Sequence, residues 1–320
     1  METKHLSVAQ CAARLKQLDD ILVIFHRRPD GDTIGSCAAL ALALEKMGKN
    51  VRIYPGHDIT AKLTPFVEKF YPGEGFEPAC RVTVDIASRQ LFPEKSGLED
   101  AEIALAIDHH PSNTNFANEL CNDPGCAACG ELVLDIIRAM DVEIDHDIAL
   151  ALYLAISTDT GCFRYSNTTA HSHRAAADMM EYGIDYAALN RSFFTEKSQA
   201  RMRLEAAFMS TMTMHFDGRV AVAHLTPDMI AACGANGDDE EDIVGVIRAI
   251  EGVEAAVMVK QLADGGCKIS LRTNKNLNAT NICARFGGGG HAAAAGCSID
   301  AGVEEAKELM LRAIEDEENA

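Results

Sequence analysis

The stretch ILVIFHRRPDGDTIGSCAALALALEKMG (residues 21–48) joins a short apolar run, an acidic loop and a longer helical pattern. Residues 21–25 are rich in β-branched and aromatic side chains, which predicts a buried strand. Residues 35–48 predict a helix that ends at Gly48. A strand followed by a helix is the first part of a βαβ unit, so this stretch indicates an α/β fold.

The same alternation of strand and helix continues along the chain. Further strands are predicted at residues 50–54, 81–86 and 102–107, and helices at 130–140, 144–158 and 169–185. This pattern predicts a parallel sheet with helices on both faces.

The pattern changes after residues 196–216, a polar and apolar stretch that predicts a connecting helix. Strands are then predicted at residues 219–225, 254–262 and 267–273, with helices between them. We therefore expect a first domain over residues 1–195, a helical linker over 196–217, and a smaller α+β domain over 218–320.

Composition limits the class of protein. The formal net charge of −19 argues against binding of long nucleic acid along a basic groove. A small anionic substrate remains compatible with this charge, because bound cations can reverse the local field. The longest apolar run is about half of the roughly 20 residues that a membrane span needs. Residues 1–10 lack the apolar core of a signal peptide, so we expect a cytoplasmic protein with reduced thiols.

One CxxC pair, Cys126 and Cys129, stands without the second pair that a zinc ribbon requires. We interpret both residues as buried small hydrophobic side chains.

Four apolar segments end in carboxylates or imidazoles. These residues are His26, Asp30 and Asp32 after residues 21–25, Asp85 after 81–84, Asp108, His109 and His110 after 102–107, and Asp159 after 152–158. Because the carboxyl ends of parallel strands open onto one crevice, we expect these side chains to converge. Taken singly, each would more often be a turn residue, a helix N-cap or a buried histidine.

Several carboxylates in one crevice repel one another unless a cation lies among them. Oxygen and imidazole ligands without thiolates favour Mn²⁺, Mg²⁺ or Co²⁺ over a closed zinc site. A pair of such ions is a standard arrangement for phosphoester hydrolysis. The joint pattern therefore favours a two-metal site over a set of unrelated structural residues.

The three consecutive residues Asp108, His109 and His110 pose a separate question. Neighbouring side chains of an extended backbone point to opposite sides. We therefore expect His109 and His110 to point to opposite sides, so that the three residues are either partly idle or have different roles.

The glycine-rich stretch ARFGGGGHAAAAG (residues 284–296) predicts a helix that ends at a glycine, followed by a loop of bare backbone. Its free N–H groups could bind an anion, with His291 at the rim. The structural alternative is a flexible helix cap before an alanine-rich packing segment. Arg272 is a candidate phosphate contact, and Arg164 and Asn167 follow Asp159 closely.

These motifs together resemble a known family. The segments HRRPDGD, VDIASR, DHH and STDTG resemble the four motifs of DHH phosphoesterases, and FGGGGHAAAAG resembles the glycine-rich motif of the associated DHHA1 domain. Residues 161–185 and 270–296 resemble the stand-alone nanoRNase and pAp phosphatase subgroup, where pAp is 3′-phosphoadenosine 5′-phosphate. The pair Cys126 and Cys129 departs from that subgroup, in which small or hydroxylated residues are more usual.

The resemblance implies a role for each residue. His26, Asp30 and Asp85 would hold one Mn²⁺, and Asp32, Asp85, His109 and Asp159 would hold the other, with Mg²⁺ or Co²⁺ as substitutes. Asp108 would orient the site, and His110 would stabilise charge on the phosphate or protonate the leaving oxygen. A hydroxide activated by the two ions would attack phosphorus. The substrate-binding candidates are Arg164, Asn167, Arg272, Gly288, Gly289, Gly290 and His291.

We therefore expect a manganese-dependent phosphoesterase with its catalytic cleft between the two domains, acting on short oligoribonucleotides and pAp. A phosphodiesterase for cyclic dinucleotides such as c-di-AMP, or for their linear products, is the nearest alternative. An inorganic pyrophosphatase and a non-catalytic nucleotide-binding module are further alternatives. The sequence leaves the oligomeric state open, with a homodimer among the states considered.

Overall fold

The computed structural model describes residues 2–319 except residues 57, 99, 241, 275 and 276. The chain divides into two compact units, with the division between Glu196 and Lys197.

The first unit is built on a six-stranded sheet in the order β1-β6-β5-β4-β2-β3. Its strands are β1 (Lys4–His5), β2 (Ile21–Ile24), β3 (Val51–Ile53), β4 (Cys80–Val84), β5 (Leu105–Asp108) and β6 (Glu119–Asn122). Every neighbouring pair is parallel, so the expected parallel sheet is confirmed.

The helices of this unit follow the strands in the alternation that the sequence predicts. They are α1 (Val8–Gln17), α2 (Gly31–Lys46), α3 (Thr64–Val67), α4 (Cys129–Ala139), α5 (His146–Asp159), α6 (Ala170–Met180) and α7 (Tyr186–Asn190). Two 3₁₀ turns lie at Glu68–Phe70 and Arg89–Leu91, and one π-helical turn lies at Arg191–Thr195.

The two faces of this sheet are covered differently. Alternate strand residues such as Val23, Val82 and Ile107 pack against the helices in the larger hydrophobic cluster. The opposite face carries Leu22 and Ala106 among others, and its cluster is completed by irregular segments and the 3₁₀ turn at Arg89–Leu91. Successive side chains of a strand point to opposite faces of the sheet, and both faces are buried here. This explains why the strands are continuous apolar runs in the sequence.

Helix α2 begins at Gly31, four residues before the predicted start. The side chain of Asp30 accepts a hydrogen bond from the backbone N–H of Thr33, 3.0 Å away, and so caps the helix. A Cβ on Gly35 would collide with the backbone of Ala151 and Ala155 in α5. This close approach brings the end of α5 near the start of α2.

The second unit contains a six-stranded mixed sheet in the order β11-β12-β10-β9-β8-β7. Its strands are β7 (Thr213–His215), β8 (Val220–Leu225), β9 (Ala255–Gln261), β10 (Cys267–Thr273), β11 (Gly289–His291) and β12 (Ala294–Ile299). Its helices are α8 (Gln199–Ser210), α9 (Pro227–Cys233), α10 (Gly237–Glu240), α11 (Val244–Arg248), α12 (Ala279–Ala284) and α13 (Val303–Glu318). Helices cover both faces of this sheet.

Two expectations for this part of the chain differ from the structure. The predicted connecting helix over residues 196–216 ends at Ser210, and the chain then forms β7. Helix α8 packs Leu204 and Phe208 into the core of the second unit, where Glu205 accepts hydrogen bonds from Lys197 and Arg201 at 2.9 and 2.7 Å. The other difference is the glycine-rich stretch, where β11 and β12 form an antiparallel hairpin in place of a bare loop.

Among the described residues, no helix has both the length and the apolar character needed to cross a membrane.

Candidate metal centre

The acids and histidines singled out in the first unit meet at one place. Three groups of side chains bring their ligand atoms within 4.8 Å of one another: His26 with Asp30 and Asp85, Asp32 with His109 and Asp159, and Asp85 with His109 and His110. The expectation that all four apolar segments bring these residues to strand ends is wrong for Asp159. Asp159 is the last residue of helix α5, and the packing of α5 against α2 places it here.

Asp85 lies at the centre of the arrangement. It follows β4 with a φ of +61°, a left-handed conformation that is strained for a residue with a side chain. Its backbone N–H donates to the carbonyl oxygen of Ile107 at 2.9 Å. Strain of this kind is held in place by surrounding structure and is concentrated at functional sites.

The two carboxylate oxygens of Asp85 have different neighbours. Oδ2 accepts a hydrogen bond of 2.6 Å from the hydroxyl of Thr33, and it lies 3.8 Å from Nε2 of His26. Oδ1 lies 3.4 Å from Nε2 of His109 and is buried without a hydrogen bond from the described residues. A buried carboxylate oxygen with no donor is a site where a cation fits, so these residues suit a divalent metal.

The carboxylate of Asp32 accepts hydrogen bonds from the first residues of helix α4. The backbone N–H groups of Cys129 and Gly130 donate to its two oxygens at 2.7 and 2.9 Å, and Ser36 adds a bond of 3.0 Å. Free N–H groups at a helix N-terminus stabilise a negative charge. Asp32 therefore stays in place inside the core while it faces His109 at 3.7 Å.

His109 faces three carboxylates with the same nitrogen. Its Nδ1 is directed at the carbonyl oxygen of Cys126, 3.2 Å away, which leaves Nε2 towards Asp32, Asp85 and Asp159. A backbone carbonyl on one ring nitrogen is a common way of presenting the other nitrogen to a metal.

The close packing of charges shifts the pKa values of this group. Burial raises the pKa of Asp32 well above its usual value, and the charges of Asp85 and Asp159 raise it further. Burial, together with Asp30 and Asp85, raises the pKa of Asp159 to about 6 although His109 opposes this. Burial alone would lower the pKa of His109, but the close carboxylates of Asp85 and Asp32 raise the pKa to about 10. The site is therefore built for more positive charge than one imidazolium supplies.

His110 and Asp108 form a separate pair beside this group. Nδ1 of His110 lies 2.8 Å from Oδ1 of Asp108, and this bond raises the pKa of His110. The amide of Asn113 donates to the other oxygen of Asp108 at 2.6 Å. Asp108 is thereby fixed in the core and orients the imidazole of His110.

The expectation that His109 and His110 point to opposite sides is wrong. Their rings contact each other edge to face with centroids 4.6 Å apart, and both approach Oδ1 of Asp85, at 3.4 and 3.6 Å. Strand β5 ends at Asp108, so the alternation of an extended backbone stops before the two histidines.

The predicted substrate residues of the first unit lie in the segment after Asp159. Gly161, Cys162 and Phe163 have consecutive positive φ values of 56°, 57° and 62°. The side-chain amide of Asn167 donates to the carbonyl oxygens of Ala127 and Asp159, both at 3.1 Å, so it holds this segment to the site. Arg164 is exposed, and its Nε donates to the carbonyl oxygen of Gly161.

The other predicted substrate residues lie in the second unit. Arg272 is on β10, with its guanidinium 3.1 Å from a carboxylate oxygen of Asp242. Gly289, Gly290 and His291 form β11 and are exposed, and Gly288 precedes them. A Cβ on Gly288 would collide with the backbone of Gly296 and with Cys297, so the close pairing of the hairpin requires this glycine.

Several contributors to the site were missed from sequence. These are the hydroxyl of Thr33, the amide of Asn113, and the backbone N–H groups of Cys129 and Gly130. The Asp30-to-Thr33 spacing of an N-cap could have indicated Thr33. Backbone groups carry no sequence signal, so the sequence indicates only packing for the CxxC segment. The expectation that both cysteines are buried is confirmed for Cys129 and wrong for Cys126, which is half-buried. Both of its thiols are free.

Comparison with known proteins gives matches over nearly the whole chain. Residues 20–156 match the DHH family, N-terminal domain, and residues 218–319 match the DHHA1 domain. A bifunctional oligoribonuclease and PAP phosphatase NrnA from Thermus thermophilus is 34% identical over 93% of this chain and 90% of its own length. A cyclic-di-AMP phosphodiesterase PdeA from Listeria monocytogenes is 24% identical over 94% of this chain and 48% of its own length. The crystal structure of an exopolyphosphatase-related protein from Bacteroides fragilis has the same fold, with a TM-score of 0.87 at 23% identity, covering 97% of this chain and 95% of that one.

Proposed function

Since the chain belongs to the DHH family of phosphoesterases with a DHHA1 domain, we propose that it is a manganese-dependent hydrolase of short oligoribonucleotides and pAp. The observation that carries this proposal is the convergence of acid and imidazole side chains from separate segments around the buried carboxylate of Asp85. The Thermus relative supports the choice of substrates.

We assign His26, Asp30 and Asp85 to one ion, and Asp32, Asp85, His109 and Asp159 to the other. Asp85 is shared because its two oxygens face different groups. Bound divalent ions supply Lewis acidity and lower the pKa of water. Asp32 contributes to this site from a position fixed by helix α4, and Asp159 contributes from the end of α5.

His110 is the proton donor of this proposal. The carboxylate of Asp108 holds Nδ1 of His110 and raises its pKa, which favours the protonated ring. Its Nε2–H is then free to donate to a phosphate oxygen or to the leaving oxygen. Asp108 is a positioning residue, because it acts through His110.

Substrate binding is assigned to both units. In the second unit, Arg272 would contact a phosphate in exchange for Asp242, and Gly288 with the exposed strand Gly289–His291 would contact the substrate. In the first unit, Arg164 is close in sequence to Asp159, and Asn167 holds the segment that carries it. Tyr165 is 58% exposed, and its ring lies over Gly161, where it could stack on a base. The catalytic cleft that the sequence predicts between the two domains is not tested and stays a prediction.

The acidic character of the chain supports a short substrate. A net charge of −19 disfavours contacts with a long phosphate backbone outside the site. Dinucleotides and pAp need only the few cationic groups named above. A cytoplasmic location and a homodimeric assembly remain predictions.

A second candidate substrate is c-di-AMP, which the Listeria relative supports. One preparation should be assayed with Mn²⁺ against a 5′-labelled RNA dinucleotide, pAp and c-di-AMP, and again after chelation. We expect cleavage of the first two that is lost on chelation and restored by Mn²⁺. Rapid cleavage of c-di-AMP alone would reverse the order of the candidates, and full activity after chelation would refute the metal assignment.

A further inference from the structure

Thr33 lies within the first group of proposed ligands. It is fully buried in the first turn of α2. Its Oγ1 is 2.5 Å from Nε2 of His26, 2.6 Å from Oδ2 of Asp85 and 3.0 Å from Oδ1 of Asp30. The hydroxyl thus contacts all three side chains that we assign to one ion.

When His26 is in its neutral, metal-binding form, these four side chains have too few protons to satisfy all the contacts around Oγ1. Nδ1 of His26 is 2.8 Å from the carbonyl oxygen of Arg27. A neutral imidazole, the form that binds a metal, would donate to this oxygen from Nδ1 and keep a lone pair on Nε2. The two carboxylates only accept, and a hydroxyl has one proton to donate. When Thr33 donates to Asp85, its remaining contacts place lone pairs against lone pairs.

A cation among these atoms removes the conflict. Lone pairs on one imidazole nitrogen, two carboxylate oxygens and the hydroxyl oxygen would then all be directed at positive charge. Adjacent oxygen ligands of an octahedral ion, each about 2.1 Å from the metal, are about 3.0 Å apart. The separations of 2.5–3.0 Å around Oγ1 are close to that spacing.

We propose that Thr33 is itself a ligand, donating its neutral hydroxyl oxygen to the ion held by His26, Asp30 and Asp85. This inference rests on the proposed two-metal site and adds a donor to it. The competing explanation is that Thr33 only positions Asp85 through the 2.6 Å hydrogen bond. The two can be separated because Asp85 is shared: positioning of Asp85 affects both ions, whereas a ligand role affects one. A further loss of affinity when Thr33→Val is added to Asp30→Asn would show that Thr33 does not act only by holding Asp30.

The test is a Mn²⁺ titration of the full chain without substrate, by calorimetry and by electron paramagnetic resonance of free Mn²⁺. Thr33→Val removes the hydroxyl at nearly constant shape, and Thr33→Ser keeps it. Asp30→Asn should lower the affinity for the first ion only, and Asp159→Asn should lower the affinity for the second ion only, so these variants show which ion a given change affects. Thr83→Val is the matched control, since Thr83 is equally buried on β4 and its hydroxyl has no hydrogen bond from the described residues.

We expect Thr33→Val to lower the affinity for one Mn²⁺ by roughly 10–100-fold, and this should be the same ion whose affinity Asp30→Asn lowers. The affinity for the other Mn²⁺ should not change. Thr33→Ser and Thr83→Val should bind both ions within a few-fold of the unmodified chain. Equal weakening of both ions by Thr33→Val, or no weakening, would overturn the ligand role while the two-metal site stands. Failure of the unmodified chain to bind Mn²⁺ would overturn the proposed function as well. Thermal unfolding in chelator checks that each variant is folded, and Thr33→Ala, which also lacks the hydroxyl, replaces Thr33→Val if that variant is not folded.

Discussion

The substitution Gly130→Ala should damage the metal centre through packing alone. Gly130 lies at the start of α4, where its N–H donates to Oδ1 of Asp32 at 2.9 Å. A Cβ at this position would lie 2.5 Å from Cβ of Ala155, in helix α5. Ala155 lies one helical turn before Asp159, so the new methyl group pushes on the two elements that position Asp32 and Asp159.

The expected magnitude follows from this distance. Carbon atoms in contact prefer about 3.5–4.0 Å, so the helices must separate by roughly 1 Å or more. Overpacking of this kind typically costs about 1–3 kcal/mol, and replacing a helical glycine by alanine returns up to about 1 kcal/mol. The net loss of unfolding free energy is therefore about 0–3 kcal/mol. A 1 Å shift of a supporting hydrogen bond should weaken Mn²⁺ binding by roughly 10–100-fold.

The assay combines Mn²⁺ titration with thermal unfolding in chelator. The double variant Gly130→Ala with Ala155→Gly removes the clashing methyl group and should restore Mn²⁺ affinity to within a few-fold. Ala155→Gly alone is the matched control, expected to lose about 1 kcal/mol of stability with little change in metal affinity. Unchanged Mn²⁺ binding by Gly130→Ala, or no recovery in the double variant, would refute the reasoning.

Three other outcomes are expected. His109→Ala should lose one Mn²⁺, whereas His110→Ala should keep both and slow single-turnover hydrolysis by roughly 10²–10⁴-fold; equal metal loss in both variants would contradict the division of roles. Mn²⁺ affinity, measured by calorimetry, should rise from pH 6 to 8. The ion must displace the proton of His109, whose pKa is about 10, and it cannot bind a protonated Asp159, whose pKa is about 6. A Mn²⁺ affinity that does not change with pH would exclude both residues as ligands. Glu205→Gln should lower the melting temperature at pH 7. Burial raises the pKa of Glu205, but hydrogen bonds from two cationic neighbours outweigh it and hold the pKa below its usual value. The stabilisation is therefore present above about pH 4.3 and is lost as the pH falls through the lower folded-state pKa, and a difference in melting temperature that persists at pH 2–3 would contradict this origin.

The parallel sheet could be predicted because its signals are local. The run at residues 21–24 and the helix that follows it differ in period and in β-branched content. A repeated strand-then-helix unit is compatible with only a few sheet topologies, and the strand order of this sheet is one of them.

Predictions failed where a long-range contact decides the backbone. Residues 289–291 form a strand because they pair with β12, and four glycines in a row do not indicate that partner. Residues 213–215 likewise join β8 after α8 ends. His109 and His110 converge because the chain leaves the sheet at Asp108, and strand boundaries are poorly marked in a sequence.

The sequence by itself determined which residue types the site contains and their order along the chain. Acids and imidazoles at the ends of apolar segments, together with the family motifs, were sufficient to identify His26, Asp30, Asp32, Asp85, His109 and Asp159 as candidates. These signals are local, because each depends on a few neighbouring letters.

Only the tertiary structure decided how these side chains are held. The N–H groups of Cys129 and Gly130 bind Asp32 from 97 and 98 residues away, and Thr33 meets Asp85 across 52 residues. The burial of Oδ1 of Asp85, to which no described residue donates a hydrogen bond, is likewise visible only once the core is assembled. Backbone donors and burial are properties of packed helices and strands, so a sequence cannot report them residue by residue.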